Sequence, residues 1–194
     1  MKKMVILVVL SILAGLGYFL YTSAGSHNYI IKLTSNKNTL RAGDALEVYW
    51  TLENKSNKTY RFSKLNNILS APFNILNKDG KQLRSYSSII YSPKDIPDKP
   101  DLYLLKPNQK KTFTFKFLLK KGKIPYSNYD GYFLYYERYT TSFLLDNQDE
   151  LYIEGEYHSW EEQNKYVQKK FGYKNMYNQN LKSNLLKIKI DRAK

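Results

Sequence analysis

Three side chains able to bind a metal ion or transfer a proton occur at alternate positions in the last third of the chain. They are Glu154, Glu156 and His158. In an extended strand these positions share one face, and carboxylate and imidazole groups together are suitable ligands for a divalent cation. The same spacing arises when an amphipathic strand presents polar residues to solvent, and we favour that simpler interpretation. We therefore expect no metal site and no cofactor.

Catalytic chemistry has little support elsewhere in the sequence. The chain contains two histidines and no cysteine, which excludes thiolate nucleophiles, zinc–thiolate sites and disulfides. It has neither the Gly-x-Ser-x-Gly motif of serine hydrolases nor a glycine-rich phosphate loop. The paired carboxylates of a glycosidase are assembled only by folding, and among 17 acidic residues some pair is unavoidable. We expect no enzymatic activity and assign no catalytic residue.

Tyrosine, present 19 times, is the residue type best suited to recognition here. Its ring supplies rigid, amphipathic contact area at a low cost in side-chain entropy. Many tyrosines lie between residues 126 and 139, close to Lys120, Lys121 and Lys123, so stacking and positive charge together would hold a glycan or a single-stranded nucleic acid. The alternative is that these rings fill the outer core. Our candidate binding residues are Tyr86, Tyr91, Tyr129, Tyr132, Tyr136, Arg138 and Trp160.

The formal net charge of +14 favours an anionic partner. The lysines are dispersed along the chain and accompany many asparagines, tyrosines and isoleucines, a combination that A/T-rich codons also produce. A solvated basic surface without a binding role is therefore the competing explanation. Among partners, an anionic polymer of the cell envelope or another envelope protein is favoured over nucleic acid.

An uncharged apolar segment at the N-terminus predicts export. Residues 4–21 would form a helix about 27 Å long, close to the thickness of the hydrocarbon core of a bilayer. Lys2 and Lys3 precede it, so the positive-inside rule places the N-terminus in the cytoplasm and the rest outside, in the periplasm or the extracellular space. We interpret residues 1–22 as a signal-anchor, with a cleaved signal peptide as the alternative, and residues 23–27 as a tether. The lipid bilayer is thus the expected partner of residues 4–21, and the protein is secreted if the leader is cleaved.

The clearest strand covers residues 45–54. Leu46, Val48, Trp50 and Leu52 alternate there with polar residues, a period of two that indicates a strand with one buried face. A tryptophan in the middle of that face predicts a core built around it. A turn-forming Asn-Lys-Ser-Asn segment follows, so we predict a central hairpin between this strand and residues 59–63.

Further strands are predicted along the rest of the chain. A proline-rich surface loop is expected at residues 87–101, and residues 159–180 are interpreted as a loop or a short helix at 160–170. With local connections and no strand–helix alternation, we expect seven or eight of the candidate strands to form two packed antiparallel sheets. The additional strand candidates are residues 28–33, 73–76, 81–86, 111–117, 132–136, 151–157 and 185–190.

Several short motifs in this order resemble immunoglobulin-like or fibronectin-like sandwiches of bacterial envelope proteins. One is the apolar strand that ends in Asn54. Another is Leu-Lys-Pro-Asn-Gln at 105–109, which introduces an alternating strand and has Asn108 where the family usually has glycine. The others are Ile-Glu-Gly-Glu-Tyr at 153–157 and Leu-Lys-Ser-Asn-Leu at 181–185. The resemblance implies a fold over residues 28–191, and a bacterial proteinase-inhibitor domain of similar build shares the same turns.

Together these patterns predict an all-β, antiparallel immunoglobulin-like sandwich of seven or eight strands at residues 28–191, preceded by one N-terminal hydrophobic helix. The function that we predict is that of a membrane-anchored, extracytoplasmic interaction module without intrinsic catalysis. The alternative is a secreted or anchored inhibitor or accessory domain that acts on an envelope hydrolase, and a hydrolase is the third choice.

Overall fold

The computed structural model describes residues 29–63, 73–87, 102–124, 127–137, 140–159 and 161–192. The predicted leader at 1–22, the tether, most of the predicted loop at 87–101, and the candidates Tyr91, Arg138 and Trp160 lie outside these residues. Within the described residues, no helix has both the length and the apolar character needed to cross a bilayer.

The described chain is mostly β-strand, as predicted, and forms several sheets. The larger sheets have the strand orders β1-β3-β8-β9-β10-β6 and β2-β12-β11-β5, and β4 and β7 form a separate pair. All neighbours are antiparallel except β2 and β12. The strands are β1 (Tyr29–Ser35), β2 (Thr39–Leu40), β3 (Ala45–Asn54), β4 (Tyr60–Ser63), β5 (Phe73–Leu76), β6 (Ser85–Ser87), β7 (Leu102–Leu105), β8 (Lys110–Lys123), β9 (Asp130–Tyr136), β10 (Thr141–Leu144), β11 (Glu150–Tyr157) and β12 (Leu181–Ile190), and the one described helix is α1 (Glu161–Phe171).

Strand β3 lies between β1 and β8 in the six-stranded sheet, second from its edge, and its alternating residues behave as predicted. Trp50 is only 1% exposed, and it pairs with Leu33 on β1 and Phe113 on β8. The prediction of an interior tryptophan is therefore confirmed. The expected strand count of seven or eight is too low, because twelve strands occur in the described residues; β2 and β7 are short, and β10 is buried at every position and so has no alternation. The short helix at 160–170, one of two expectations for that segment, is confirmed as α1.

The predicted hairpin between β3 and residues 59–63 is wrong, because β4 pairs with β7 instead. The buried side chain of Asn54 explains the difference. Its Nδ2 donates to the backbone oxygens of Lys58 and Leu105, and its Oδ1 accepts from the Ser56 N–H. This bonding turns the chain out of the sheet, and the Asn54 backbone pairs with residues 108 and 109.

The two larger sheets share one core. Phe73 on β5 makes edge contacts with Phe115 and Phe117 on β8, at centroid distances of 4.8 and 5.6 Å. A second link is made by Asn184 on β12, whose Oδ1 accepts from the Leu33 N–H at 2.8 Å and whose Nδ2 donates to the Leu33 oxygen at 3.2 Å. The amide of Asn184 thus satisfies backbone groups on β1, the edge strand of the other sheet.

The strands define two ends of the molecule. The tether end holds Tyr29, which pairs with Asn54 and contacts Tyr177 at a ring distance of 4.4 Å. The far end holds Gly43, whose N–H donates to the Leu119 oxygen, and the end of β8 at Lys123. Strand β8 alone spans the distance between them, roughly 45 Å for its 14 residues.

Candidate functional site

A concave surface at the far end lies on the outer face of the six-stranded sheet, and we call it the β8–β10 groove. Register pairs Lys120 with Phe133, and Tyr135 with Ser142, so these side chains share the face that points away from the core. The groove has a volume of about 700 Å³. It is lined by Ala42, Gly43, Leu119, Lys120, Lys121, Gly122, Lys123, Phe133, Tyr135 and Ser142.

A small hydrophobic cluster separate from the main core supports the groove. It consists of Ile124, Phe133 and Leu144, with Tyr129 and Tyr135 packed against it. Because Phe133 is buried and Tyr135 is half-buried, the two rings are held by packing and do not depend on a ligand for their position. One rim is formed by the tight turn before β3, in which Gly43 has a φ of +89° that favours glycine.

The groove is positively charged at the end of β8. Lys120 Nζ lies 4.0 Å from the centroid of the Tyr135 ring, a cation–π contact. Earlier on the same strand, Lys110 and Lys116 pair with Glu53 and Glu47 across the β3–β8 ladder, at 3.5 Å in each case. By contrast, no carboxylate of the described residues lies within ion-pair distance of the three lysines that line the groove. These are Lys120, Lys121 and Lys123, all exposed.

Tyr86, a candidate from the sequence, lies on this same outer face. It is 45% exposed and pairs with Ser142 on β10, and Ser142 pairs in turn with Tyr135 on β9. With strands about 4.8 Å apart, the two tyrosines lie about 10 Å from each other. The outer face therefore offers two aromatic rings in one row, beside the lysines of the groove.

The other described candidates do not join this row. Tyr129 has a structural role: its hydroxyl donates to the Tyr132 oxygen at 2.6 Å and accepts from the Asp146 N–H at 3.0 Å, and burial raises its pKa. Tyr132 lies on the opposite face of β9, where its ring is 4.8 Å from the Arg192 guanidinium. Tyr136 is 1% exposed and stacks on Phe117 in the core. Whether any of them binds a ligand stays a prediction.

The sequence analysis named the groove lysines but not the residues that face them. Strand β9 is apolar and aromatic on both faces, so its alternation does not reveal which tyrosines point outward. The pairing of Lys120 with Phe133 resolves this, and pairing register follows from tertiary structure. Tyr135 and Phe133 were therefore missed as candidates, although both lie within the tyrosine-rich segment.

The trio Glu154, Glu156 and His158 lies on the outer face of the four-stranded sheet, near the tether end. Lys182 Nζ lies 2.9 Å from Glu154 Oε2 and 3.2 Å from Glu156 Oε1, and His158 Nε2 lies 2.6 Å from Glu156 Oε2. Burial acts to raise the pKa of Glu156, but the hydrogen bonds from His158 and Lys182 hold this pKa below its usual value. A lysine thus compensates both carboxylates, and within the described part of the chain no three Asp, Glu, His or Cys side chains cluster as a metal site requires.

The sequence matches no protein-family model and no curated protein. The groove itself indicates the chemistry available. Ammonium groups attract phosphate or carboxylate, and the faces of exposed rings stack on sugar rings or other flat groups. A ligand that combines negative charge with rings matches both properties.

Proposed function

We propose that this protein is a membrane-anchored, extracytoplasmic binding module that holds an anionic polysaccharide of the cell envelope in the β8–β10 groove and catalyses no reaction. In this proposal residues 4–21 cross the membrane once with the N-terminus in the cytoplasm, and the rest forms an immunoglobulin-like sandwich. The observation that carries the proposal is that Lys120, Lys121 and Lys123 line the groove without carboxylate partners among the described residues, and that Lys120 lies against Tyr135.

The arrangement of the side chains supports a polymeric ligand. Tyr86 and Tyr135 lie in one row about 10 Å apart, so two rings of one chain could stack at the same time. The lysines lie beside this row and would contact the acidic substituents of the polymer. Charge-assisted contacts to lysines are stronger than neutral hydrogen bonds, which favours carboxylated or phosphorylated sugars over neutral ones.

The position of the groove supports a role in an anchored protein. Tyr29, which follows the proposed tether, lies at one end of the domain, and the groove lies at the other end. Lys120 is ten residues along β8 from Lys110, so it lies about 30 Å from the tether end. A groove placed there lies far from the bilayer, within reach of material outside the membrane.

Two of the motifs that resemble immunoglobulin-like sandwiches, the strand that ends in Asn54 and the segment 105–109, are hydrogen-bonded to each other. This contact supports the proposed immunoglobulin-like fold. The side chain of Asn54 donates to the Leu105 oxygen at 3.0 Å, and the Asn108 N–H donates to the Asn54 oxygen at 2.8 Å. Asn108 has a φ of +60°, a conformation that glycine adopts easily. Asn108 thus adopts a backbone conformation that also suits the glycine usual in the family that the motif resembles.

Binding of a soluble polyuronate to the full chain in lipid nanodiscs, followed by calorimetry, tests the proposal. Lys120→Gln/Lys123→Gln is expected to weaken binding about tenfold or more, because two charge-assisted contacts are lost. Lys110→Gln/Lys116→Gln is the matched control, since it removes the same charge from the same strand at lysines already paired with glutamate. We expect the control to bind nearly as tightly as the natural sequence.

Two results would contradict the proposal. Equal weakening in both double variants would mean that only net charge matters and that the groove is not a site. Equally tight binding of a neutral glucan would remove the role of the lysines. Tyr135→Leu provides a further check, because it removes the aromatic ring while leaving every charge in place.

A further inference from the structure

Aromatic rings and cations alternate on a second surface, around helix α1 at the tether end. The rings of Phe171 and Tyr173 stack at 5.9 Å with 24° between their planes. The Arg61 guanidinium lies 5.7 Å from the Tyr173 ring. Lys170 Nζ lies 5.3 Å from the Phe171 ring and 5.4 Å from that of Tyr166. We call this surface the α1 patch; it consists of Arg61, Tyr166, Lys169, Lys170, Phe171, Tyr173 and Lys174.

The α1 patch is firmly attached to the domain. Val167, on one side of helix α1, is buried, and the buried side chain of Asn164 donates to the Tyr177 oxygen at 3.1 Å. Arg61 donates through its backbone N–H to the Asn175 oxygen and through Nη1 to the Lys174 oxygen. Despite this attachment, Tyr166 remains 54% exposed, one of the largest apolar side chains open to solvent in the described residues.

The patch lies beside the point where the domain meets its tether. The Tyr177 ring, to which Asn164 connects α1, contacts the ring of Tyr29. Residues 22–28 separate Tyr29 from the segment proposed to span the membrane, and seven residues reach at most about 25 Å even when fully extended. An anchored chain therefore keeps the α1 patch close to the lipid headgroups.

We infer that the α1 patch binds the headgroups of an anionic lipid bilayer and so fixes the orientation of the domain on the membrane. This inference rests on the anchor in the proposed function. Tyrosine and phenylalanine rings are favoured at membrane interfaces, and long basic side chains extend along them towards the headgroups. Each lysine near an anionic surface contributes about 1 kcal/mol of attraction. The β8–β10 groove, at the opposite end, stays free for its own ligand.

Single-cysteine labelling tests the inference cleanly, because the natural sequence has no cysteine. The full chain is reconstituted in vesicles of phosphatidylcholine with phosphatidylglycerol and labelled with a fluorophore at Glu162→Cys. This position lies one helical turn before Tyr166, and its substitution leaves the patch intact. Lys78→Cys, in the exposed turn after β5 at the far end, is the matched control. Quenching by lipids with a headgroup-attached nitroxide reports the proximity of each label to the bilayer.

We expect quenching several times stronger at position 162 than at position 78, and a decrease at high salt or in pure phosphatidylcholine. Lys169→Gln/Lys174→Gln should shift the equilibrium towards the unbound orientation by about fivefold per lysine, whereas Lys78→Gln/Lys81→Gln should leave it unchanged. Alkaline extraction of the vesicles shows whether the chain is anchored in the membrane. If the chain stays in the vesicles but both labels are quenched equally weakly, the inference is overturned while the proposed anchor stands. Release of the chain by that extraction would instead overturn the anchor in the proposed function.

Discussion

Gly155 on β11 lies directly against the indole ring of Trp50 on β3. A Cβ atom built on Gly155 would lie 2.8 Å from Trp50 Cδ1 and 3.1 Å from Leu33 Cδ2. The glycine lies at a β-bulge, where the pairing of β11 with β12 shifts between Glu154 and Glu156. The absence of a side chain at this one position therefore lets the two larger sheets approach each other over the tryptophan.

Gly155→Ala should destabilise the domain by about 1–3 kcal/mol, because Trp50 is buried and cannot move away from an added methyl group. Urea unfolding measures the change as a lower midpoint with an unaltered slope. In a Trp50→Phe background the same substitution should lower the free energy of unfolding by less, since the smaller ring leaves room for the added methyl group. That background loses no hydrogen bond, because Trp50 Nε1 has no acceptor among the described residues.

The two substitutions should thus show a coupling energy in a double-mutant cycle. Additive effects would mean that Gly155 and Trp50 do not compete for the same space. A stabilising effect of Gly155→Ala alone, as expected for a glycine in an uncrowded strand, would contradict the contact altogether.

Asn108 should tolerate glycine and resist residues that bear a branched Cβ. Its φ of +60° lies in the left-handed region, which costs most residues about 1–2 kcal/mol. Asn108→Gly is therefore expected to change the free energy of unfolding little, Asn108→Ala to lower it by about 1 kcal/mol, and Asn108→Val to lower it more. The hydrogen bond from the Asn108 N–H to Asn54 is common to all these variants, so it does not affect the ranking. Chemical unfolding of the three variants in parallel checks the order, and an alanine variant as stable as the glycine one would refute it.

Tyr177 should make the fold sensitive to alkaline pH. Burial, together with the nearby Tyr29, Tyr157 and Tyr60, raises the pKa of Tyr177 well above its usual value. Above about pH 10 the unfolded chain loses the phenol proton that the folded chain keeps, so the free energy of unfolding falls as pH rises, by at most about 1.4 kcal/mol per pH unit for one group.

Tyr177→Phe should remove this part of the dependence while preserving the ring contacts with Tyr29 and Phe62. Urea midpoints measured at neutral pH and above pH 10 give the comparison, in which the variant should lose less stability on alkalisation than the natural sequence. An identical loss in both proteins would show that Tyr177 ionises as freely in the folded chain as in the unfolded one.

Strand type and the buried face could be predicted from the sequence wherever the alternation was simple. In β3 and β8 the buried face was right, because apolar and polar residues alternate and only one assignment buries Trp50 and Phe117. Which strands pair with each other was harder to predict. Nothing local to residues 59–63 indicates pairing with β7, because the buried Asn54 side chain determines the turn through an oxygen 51 positions away.

The surfaces proposed to bind ligands were only partly predictable for the same reason. Lys120 was named from its proximity to the tyrosines, but Tyr135 was identified only through cross-strand register. The α1 patch brings together Arg61 and Tyr173, which are far apart in the sequence. Composition indicates that rings and cations are plentiful, whereas tertiary contacts decide which of them are neighbours.

Strand β8 is unbroken over its whole length and so acts as a spacer between the two ends of the domain. Its first residues lie at the end of the domain that holds Tyr29 and its last residues form one wall of the groove, with a continuous hydrogen-bonded ladder to β3 and β9 along the way. In a membrane-anchored chain, a strand of this length fixes the distance between the bilayer and a ligand bound in the groove. Under the proposed function, the number of residues in β8 determines which layer of the envelope the protein reaches.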